Sequence, residues 1–593
     1  MKLFKHILIA LFLLSISFGC EEDKPKISVN KETSEIQSLM DDGSLLVKIT
    51  RDVETYIFTF ESGTVRIPVD IVASVHEDYE NWNTVLTFID QQEISIPTLG
   101  DNINGVIKTT RLNPSGFNPL AADVFVSFPV KGRAKIIVQG KHGGNGTVEY
   151  LFKGYEQNHD LPILGLYPDY ENVVTIVMTD KDGNERARTQ TTIKTDPLDI
   201  AALPRYINIR KTASVKTEPG MTLLSDPGAS EADTSCPYMI DADGEIRWVL
   251  DWRTSPDLLH VGAHTGLHRL PNGNYLMGDA NNAQLAEVDI FGGMVRKWDL
   301  KALGYNFHHE AVMGENGKLL VAVTKNEAKL NTGESRIFDF IIEMNPDEST
   351  VAKEWDLVHI LDSARYTDSG NLVQADQTQG NWVHHNALLY WDGDIFGSAR
   401  YQGLFKFNRN GELLWILAPH KNWRAEYEKY LLTPLGKDGK TISDPEILSG
   451  DKSGEDFDWT WGQHTPVIMP NGHILVFDNG YGRNHKKTPF TDPGQYSRIV
   501  EYEVDETNKT VKQVWEYGKD RPECYAMAMS SVQYLPQTGH VLFCPGVGNK
   551  LSNGSYGGRV VEIDPQTNEV VCELEVGTSF HRASRISLYP EGL

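Results

Sequence analysis

Leu270-Pro271-Asn272-Gly273-Asn274-Tyr275-Leu276 and Met469-Pro470-Asn471-Gly472-His473-Ile474-Leu475 are two copies of one hairpin, set far apart in the chain. Asn-Gly between apolar runs is the strongest short-range signal for a tight β-turn. Related turns surround Asn316-Gly317, Asp392-Gly393 and Thr538-Gly539. A second half-motif alternates with these hairpins: a turn, then a strand that ends near tryptophan. It reads Asp243-Gly244-Glu245-Ile246-Arg247-Trp248 and Gly292-Gly293-Met294-Val295-Arg296-Lys297-Trp298. It recurs before Trp355, in Gly411-Glu412-Leu413-Leu414-Trp415, in Val511-Lys512-Gln513-Val514-Trp515, and in degenerate form as Glu569-Val570-Val571-Cys572-Glu573-Leu574.

Six copies between residues 198 and 593 average about 65 residues each, longer than the roughly 40–50 of common propeller repeats. Long loops, such as the polar stretch from His420 to Asp456, account for the excess. The expectation is a six-bladed β-propeller. The orphan strand Arg585-Ile586-Ser587-Leu588-Tyr589 is expected to pair into the first blade and close the ring, because an open propeller exposes strand edges.

Working outward, the chain is expected to be all-β. Residues 98–197 alternate in short runs, such as Val124-Phe125-Val126-Ser127-Phe128 and Val173-Val174-Thr175-Ile176-Val177, separated by turns such as Asp182-Gly183-Asn184. That pattern predicts an immunoglobulin-like β-sandwich. Residues 20–97 read as a tether and a small β module. Residues 1–19 read as a lipoprotein signal peptide: Lys2 and Lys5, an apolar run too short to span a bilayer, then Ser17-Phe18-Gly19-Cys20. Cys20 is the expected lipidation site, which makes the chain an exported lipoprotein anchored in the cell envelope, at the periplasm or outer membrane.

The 593 residues carry 56 Lys and Arg against 81 Asp and Glu, a formal charge of −25. Such an acidic chain excludes bulk electrostatic binding of nucleic acid. An anionic substrate would need a locally built positive site. Besides Cys20 there are Cys236, Cys524, Cys544 and Cys572. Export permits disulfides, but four cysteines allow three pairings and spacing does not choose among them. There is no CxxC motif, which argues against a thiolate zinc site.

Histidines recur at the start of the inner hairpins. His309 lies seven residues before Asn316, His464 seven before Asn471, His384 and His385 eight and seven before Asp392, and His264 eight before Asn272. Equivalent positions of successive blades face one another, so several imidazoles should meet at one mouth of the propeller. His268, His308, His420, His473 and His540 fall off this register or on turns and are read as structural or surface groups. Arg400 ends the second strand of the His384 hairpin, where the His464 hairpin carries Asp478-Asn479-Gly480. Its planar fork suits a tetrahedral oxyanion. Asn386, two residues after His384, adds a neutral donor. An arginine beside the ring favours an anion with one neutral imidazole as nucleophile over a metal centre.

These residues resemble the bacterial arylsulfate sulfotransferases. The carrying segments are Asn381-Trp382-Val383-His384-His385-Asn386, Ser398-Ala399-Arg400-Tyr401-Gln402, Phe457-Asp458-Trp459-Thr460-Trp461-Gly462-Gln463-His464-Thr465, Val476-Phe477-Asp478-Asn479-Gly480 and Val514-Trp515-Glu516-Tyr517-Gly518-Lys519. The resemblance implies a cofactor-independent enzyme that moves a sulfuryl group from an aryl sulfate donor to a phenol acceptor. It implies that His464 is the nucleophile and passes through a sulfohistidine, that His384, Asn386 and Arg400 bind sulfate, and that His309 is a further active-site group. His264 matches no family position. Family members can carry a cysteine pair in the loop before Trp459-Thr460-Trp461; the corresponding loop here, 442–456, has none. The resemblance also implies a possible homodimer. The chemistry is expected to be ping-pong, with in-line transfer and no metal. Two alternatives stay open: a metal-dependent hydrolase or oxidoreductase using the histidine ring as ligands, and a non-catalytic propeller that binds a partner.

Overall fold

The computed structural model describes residues 30–78, 83–98, 105–141, 146–225, 235–263, 265–314, 316–329, 333, 335–365, 381–486 and 495–593. The leader, Cys20 and His264 lie outside them.

Six antiparallel sheets form the blades of the propeller. The third runs Tyr305–Met313, Leu319–Lys325, Phe340–Asn345 and Thr350–Asp356; the fourth runs His385–Trp391, Asp394–Ala399, Gly403–Phe407 and Leu413–Leu417. In the fifth, His464–Ile468 is innermost and Thr433–Leu435 adds an outer parallel strand beside Thr510–Tyr517. The innermost strands of blades three, four, five, six and one pack side by side in that order.

The recurrent tryptophans explain why the repeat is written with that residue. Each sits on an outer strand and donates its indole N–H to the outer turn of the next blade. Trp248 reaches Ile290 O at 3.0 Å, Trp298 reaches Pro346 O at 2.8 Å and Trp355 reaches Arg409 O at 3.1 Å. Trp415 reaches Glu506 Oε1 at 2.9 Å and Trp515 reaches Asn568 Oδ1 at 2.8 Å. Flat aromatic bodies thereby fill the wedge between blades while their one polar atom is satisfied.

Closure is double. Ala583–Ile586 pairs antiparallel with Met221–Leu224 and becomes the inner strand of the first blade. Ile207–Lys211 pairs with Glu569–Val576 and becomes the outer strand of the last. The closing strand thus begins two residues earlier than the expected Arg585–Tyr589. Leu588 and Tyr589 have already left the blade: the Tyr589 ring stacks on Tyr150 at 4.5 Å, and its hydroxyl donates to Pro162 O and accepts from Leu164 N.

Residues 106–194 supply five strands joined through the long Ala122–Val138 and Val148–Ile163. The first of these pairs with Val106–Leu112 along one half and with Glu171–Thr179 along the other. Alternate residues Val124, Val126, Ile136, Val138, Leu161, Ile163, Val174 and Ile176 are buried.

The N-terminal unit corrects one expectation. Alongside two three-stranded antiparallel sheets it holds a helix, Asn30–Asp41, where only β structure is expected. Ile36 is fully buried against Phe58, Ile67, Leu86 and Phe88. None of Cys236, Cys524, Cys544 and Cys572 is disulfide-bonded, and all four are buried.

Candidate active site

The inner strands of blades three, four and five are each interrupted by a register shift at their histidines: between Phe307 and Ala311, between His385 and Ala387, and between His464 and Val467. His309, His384 and Thr465 there adopt positive φ of 53°, 48° and 48°. A left-handed backbone costs energy for any residue with a Cβ and, where the fold imposes it repeatedly, marks a site.

These irregular strands bring the imidazoles together. His309 and His384 have ring centroids 5.0 Å apart, and His308 and His385 are 4.6 Å apart. The Nδ1 atoms of His308 and His309 are 3.0 Å from each other, so one proton lies between them. His308 thus departs from the reading that set it aside as structural or surface. It is 3 % exposed and belongs to the cluster, because the left-handed turn at His309 swings both neighbours inward.

Two asparagines set two opposite tautomers. Asn479 donates both amide protons to backbone, to Ala526 O at 2.8 Å and Met529 O at 3.2 Å. Its Oδ1 is therefore the atom that faces His464 Nδ1 at 2.8 Å, and it can only accept. The proton of His464 sits on Nδ1 and the lone pair on Nε2. At His384 the polarity is reversed: with Asn381 Nδ2 placed 2.8 Å from Nδ1 the amide donates and the ring proton sits on Nε2, although among the described residues no second hydrogen bond holds this amide. His385 is fixed a third way, by donating Nδ1–H to Phe338 O at 2.7 Å.

Burial keeps these rings neutral. It pushes the His464 imidazolium down to about 3, helped by the nearby Arg400 and Arg582 cations and opposed by the Asn479 hydrogen bond. His385 falls to about 4 through burial. His308 and His384 lie well below the ordinary value, again through burial first and then through their histidine neighbours.

Arg400 follows the strand Asp394–Ala399, donates its backbone N–H to His384 O at 3.0 Å, and holds Cζ 4.5 Å from the Tyr481 ring centroid. Asn386 is fully buried, and its Nδ2 donates to Gln463 O at 2.9 Å. Ser398 Oγ donates to the same carbonyl. Asn386 therefore grips the residue next to His464, while its own Oδ1 has no hydrogen-bond partner.

Three groups escaped sequence reasoning. Asn479 occupies the register of Arg400 and was visible only as a position. His581 and Arg582 come from the segment just before the closing strand, beyond the last hairpin; the His581 ring lies 6.4 Å from His309. Arg582 pairs with buried Glu310, which also accepts from His268 Nε2 at 2.6 Å, and its Nη2 donates to Asn386 O.

A buried ionic network anchors the segment that leads to His464. Asp478 accepts from Arg483 and Arg498, at 2.7 and 2.8 Å. Arg483 also binds Asp458, and Trp461 N donates to Asp478. Gly480 has φ +76°, and a Cβ there would meet Tyr496 O at 2.1 Å, so the sharp bend after Asn479 requires glycine. The 442–456 loop, which contains no cysteine, is held by hydrogen bonds. Helix Pro445–Ser449 is capped by Asp444, Ser449 O accepts from His485 Nε2, and Ile447 O accepts from Trp459 Nε1. Among the described residues no group of three or more His, Cys, Asp or Glu is disposed to hold a metal ion.

The arylsulfotransferase family model matches residues 207–585, and the arylsulfotransferase Ig-like domain model matches 109–196. This chain belongs to the arylsulfotransferase family. It is 28 % identical to the arylsulfate sulfotransferase AssT of Escherichia coli O6:H1, with 80 % of this chain and 90 % of the relative covered. It is 27 % identical to AssT of Lelliottia amnigena, with 78 % and 89 % covered. Among solved structures, a Bacteroides caccae protein of unknown function matches at 14 % identity and TM-score 0.28, covering 64 % of this chain and 93 % of that one; similarity this slight carries no argument. Family membership makes the chain an enzyme that transfers sulfuryl groups. Residues 30–98 lie outside both matched ranges.

Proposed function

We propose that sulfuryl transfer proceeds in two steps through a covalent intermediate on His464 Nε2. The observation that carries this reading is the tautomer held by Asn479: a neutral imidazole with its lone pair on Nε2. That lone pair attacks sulfur, the S–N bond forms, the S–O bond to the ring breaks, and the phenolate leaves. The ring becomes an N-sulfoimidazolium whose Nδ1–H remains on Asn479 Oδ1. Arg400 and the Nε2–H of His384 stabilise the sulfate oxygens, a monoanion that two such donors can hold. His384 is a poor acid, because losing its single proton would leave an imidazolate. The proton relay is assigned to His309, which gives a proton to the departing phenolate and takes one back from the acceptor phenol, which then attacks sulfur and restores His464.

The decisive measurement is mass spectrometry of enzyme quenched after mixing with an aryl sulfate and no acceptor. One sulfuryl adduct on the Asp458–Thr465 peptide is expected, and His464→Ala should lose both adduct and transfer almost completely. Transfer retained in His464→Ala would move the nucleophile elsewhere.

The same proposal places the enzyme on the cell envelope, tethered by lipid at Cys20, in keeping with the basic start, short apolar run and Ser17-Phe18-Gly19-Cys20. Wild type should partition into detergent and Cys20→Ala into water; an aqueous wild type would refute anchoring.

A further inference from the structure

Beside the histidines lies a small pocket whose lining includes Arg365, Arg400, Tyr401, Trp461 and Tyr481. The Tyr401 ring stands 6.0 Å from His384, so the pocket opens next to the reacting groups. Arg365 is 2 % exposed and lies 4.1 Å over the Trp423 ring. Its Nε, Nη1 and Nη2 donate to Lys421 O, Tyr401 O and Pro419 O at 3.2, 2.6 and 3.2 Å. These use three of the five N–H bonds of a guanidinium. No carboxylate among the described residues bonds to it. Asp362, the acid whose field reaches it, is committed to Arg424 Nε, Arg424 N and Ala364 N. Burial lowers the Arg365 guanidinium to about 9. An unpaired cation buried this deeply is costly unless something anionic completes it. In the same lining, the indole N–H of Trp461 is buried without a hydrogen-bond partner. An orphaned indole donor that shares a lining with a guanidinium having N–H bonds to spare, among aromatic side chains, matches the oxygens of an anion carried on an aromatic ring.

We propose that this pocket receives an anionic ring substituent, a carboxylate or second sulfate, and makes the enzyme selective for acidic phenols and their sulfates. The proposal rests on the sulfotransferase reading of the adjoining histidines. It is tested by transfer from 4-nitrophenyl sulfate to 3- and 4-hydroxybenzoate and to the uncharged hydroxybenzamides. The expected result is at least a tenfold higher kcat/KM for one benzoate over its amide in wild type. Trp461→Phe, which keeps the ring and loses the N–H, and Arg365→Met should each remove most of that preference by slowing the benzoate alone. Trp461→Phe decides the matter if Arg365→Met does not fold. Calorimetry of the same phenols on the unsulfated enzyme separates the two readings. Benzoate binding that depends on Trp461 and Arg365, without transfer from any donor, would keep the pocket and sink the sulfotransfer. Equal kcat/KM and equal binding for acid and amide in wild type, or a preference undiminished in the folded variants, would overturn the proposal.

Discussion

The amide of Asn479 cannot turn over without abandoning two backbone carbonyls, and that immobility decides where the His464 proton resides. Replacing it tests the point. Asn479→Leu removes the acceptor, frees the ring to choose its tautomer, and should lower kcat by about one to two orders of magnitude, the usual reach of a lost orienting partner. Asn479→Asp keeps an acceptor but adds a negative charge that favours the imidazolium. In wild type the His464 imidazolium forms only near pH 3. A protonated ring has no lone pair, so raising its pKa moves the acid limb of kcat/KM toward neutrality. An acid limb unmoved in Asn479→Asp would mean that His464 is not the titrating nucleophile. Histidine placement at hairpin starts was legible from spacing, because a repeat converts sequence distance into shared position. The His464 tautomer was not, since it depends on carbonyls at Ala526 and Met529, in the segment that joins the fifth blade to the sixth.

Among the elements, the closing strand carries the clearest expectation. Deleting Ser584–Leu593 removes the inner strand of the first blade and the Tyr589 contact with Tyr150. Thermal stability should fall sharply, whereas deleting only 590–593 should leave the melting temperature within a few degrees; equal melting of the longer truncation and wild type would make the strand peripheral. That a terminal strand closes the ring could be inferred from its having no partner of its own. The reciprocal strand Ile207–Lys211 was hidden, because five residues with exposed Arg210 and Lys211 resemble any loop edge. The helix Asn30–Asp41 was missed for a related reason. Its apolar residues Ile36, Leu39 and Met40 sit at helical spacing, but they are few among polar neighbours. His581 and Arg582 followed no Asn-Gly turn, so the repeat offered no register in which to place them. The bulges that turn His308 inward leave no mark in composition at all.

For the whole molecule, buried neutral histidines couple stability to pH. An unfolded histidine takes a proton near pH 6.5, while His385 and His464 resist until about 4 and about 3. Between those values the unfolded state binds more protons, so stability rises with pH and falls as pH drops below about 6.5. Each such ring steepens the loss by up to about 1.4 kcal/mol per pH unit. Urea midpoints measured from pH 7 to pH 5 should decline accordingly, and His385→Asn should flatten the slope by about one proton. A midpoint constant across that range would show that the rings are already charged in the native state.

Pairing Thr222 with Arg585 has a consequence for how the molecule comes into being. A nascent chain emerging from its N-terminus carries blade after blade with no means of completing the first until its last residues appear. A product that ends before Ala583 therefore presents a raw sheet edge at Met221–Leu224 and is exposed to aggregation and proteolysis. The closing strand acts as a late checkpoint on synthesis: a chain that stops short of it leaves the first blade without its inner strand.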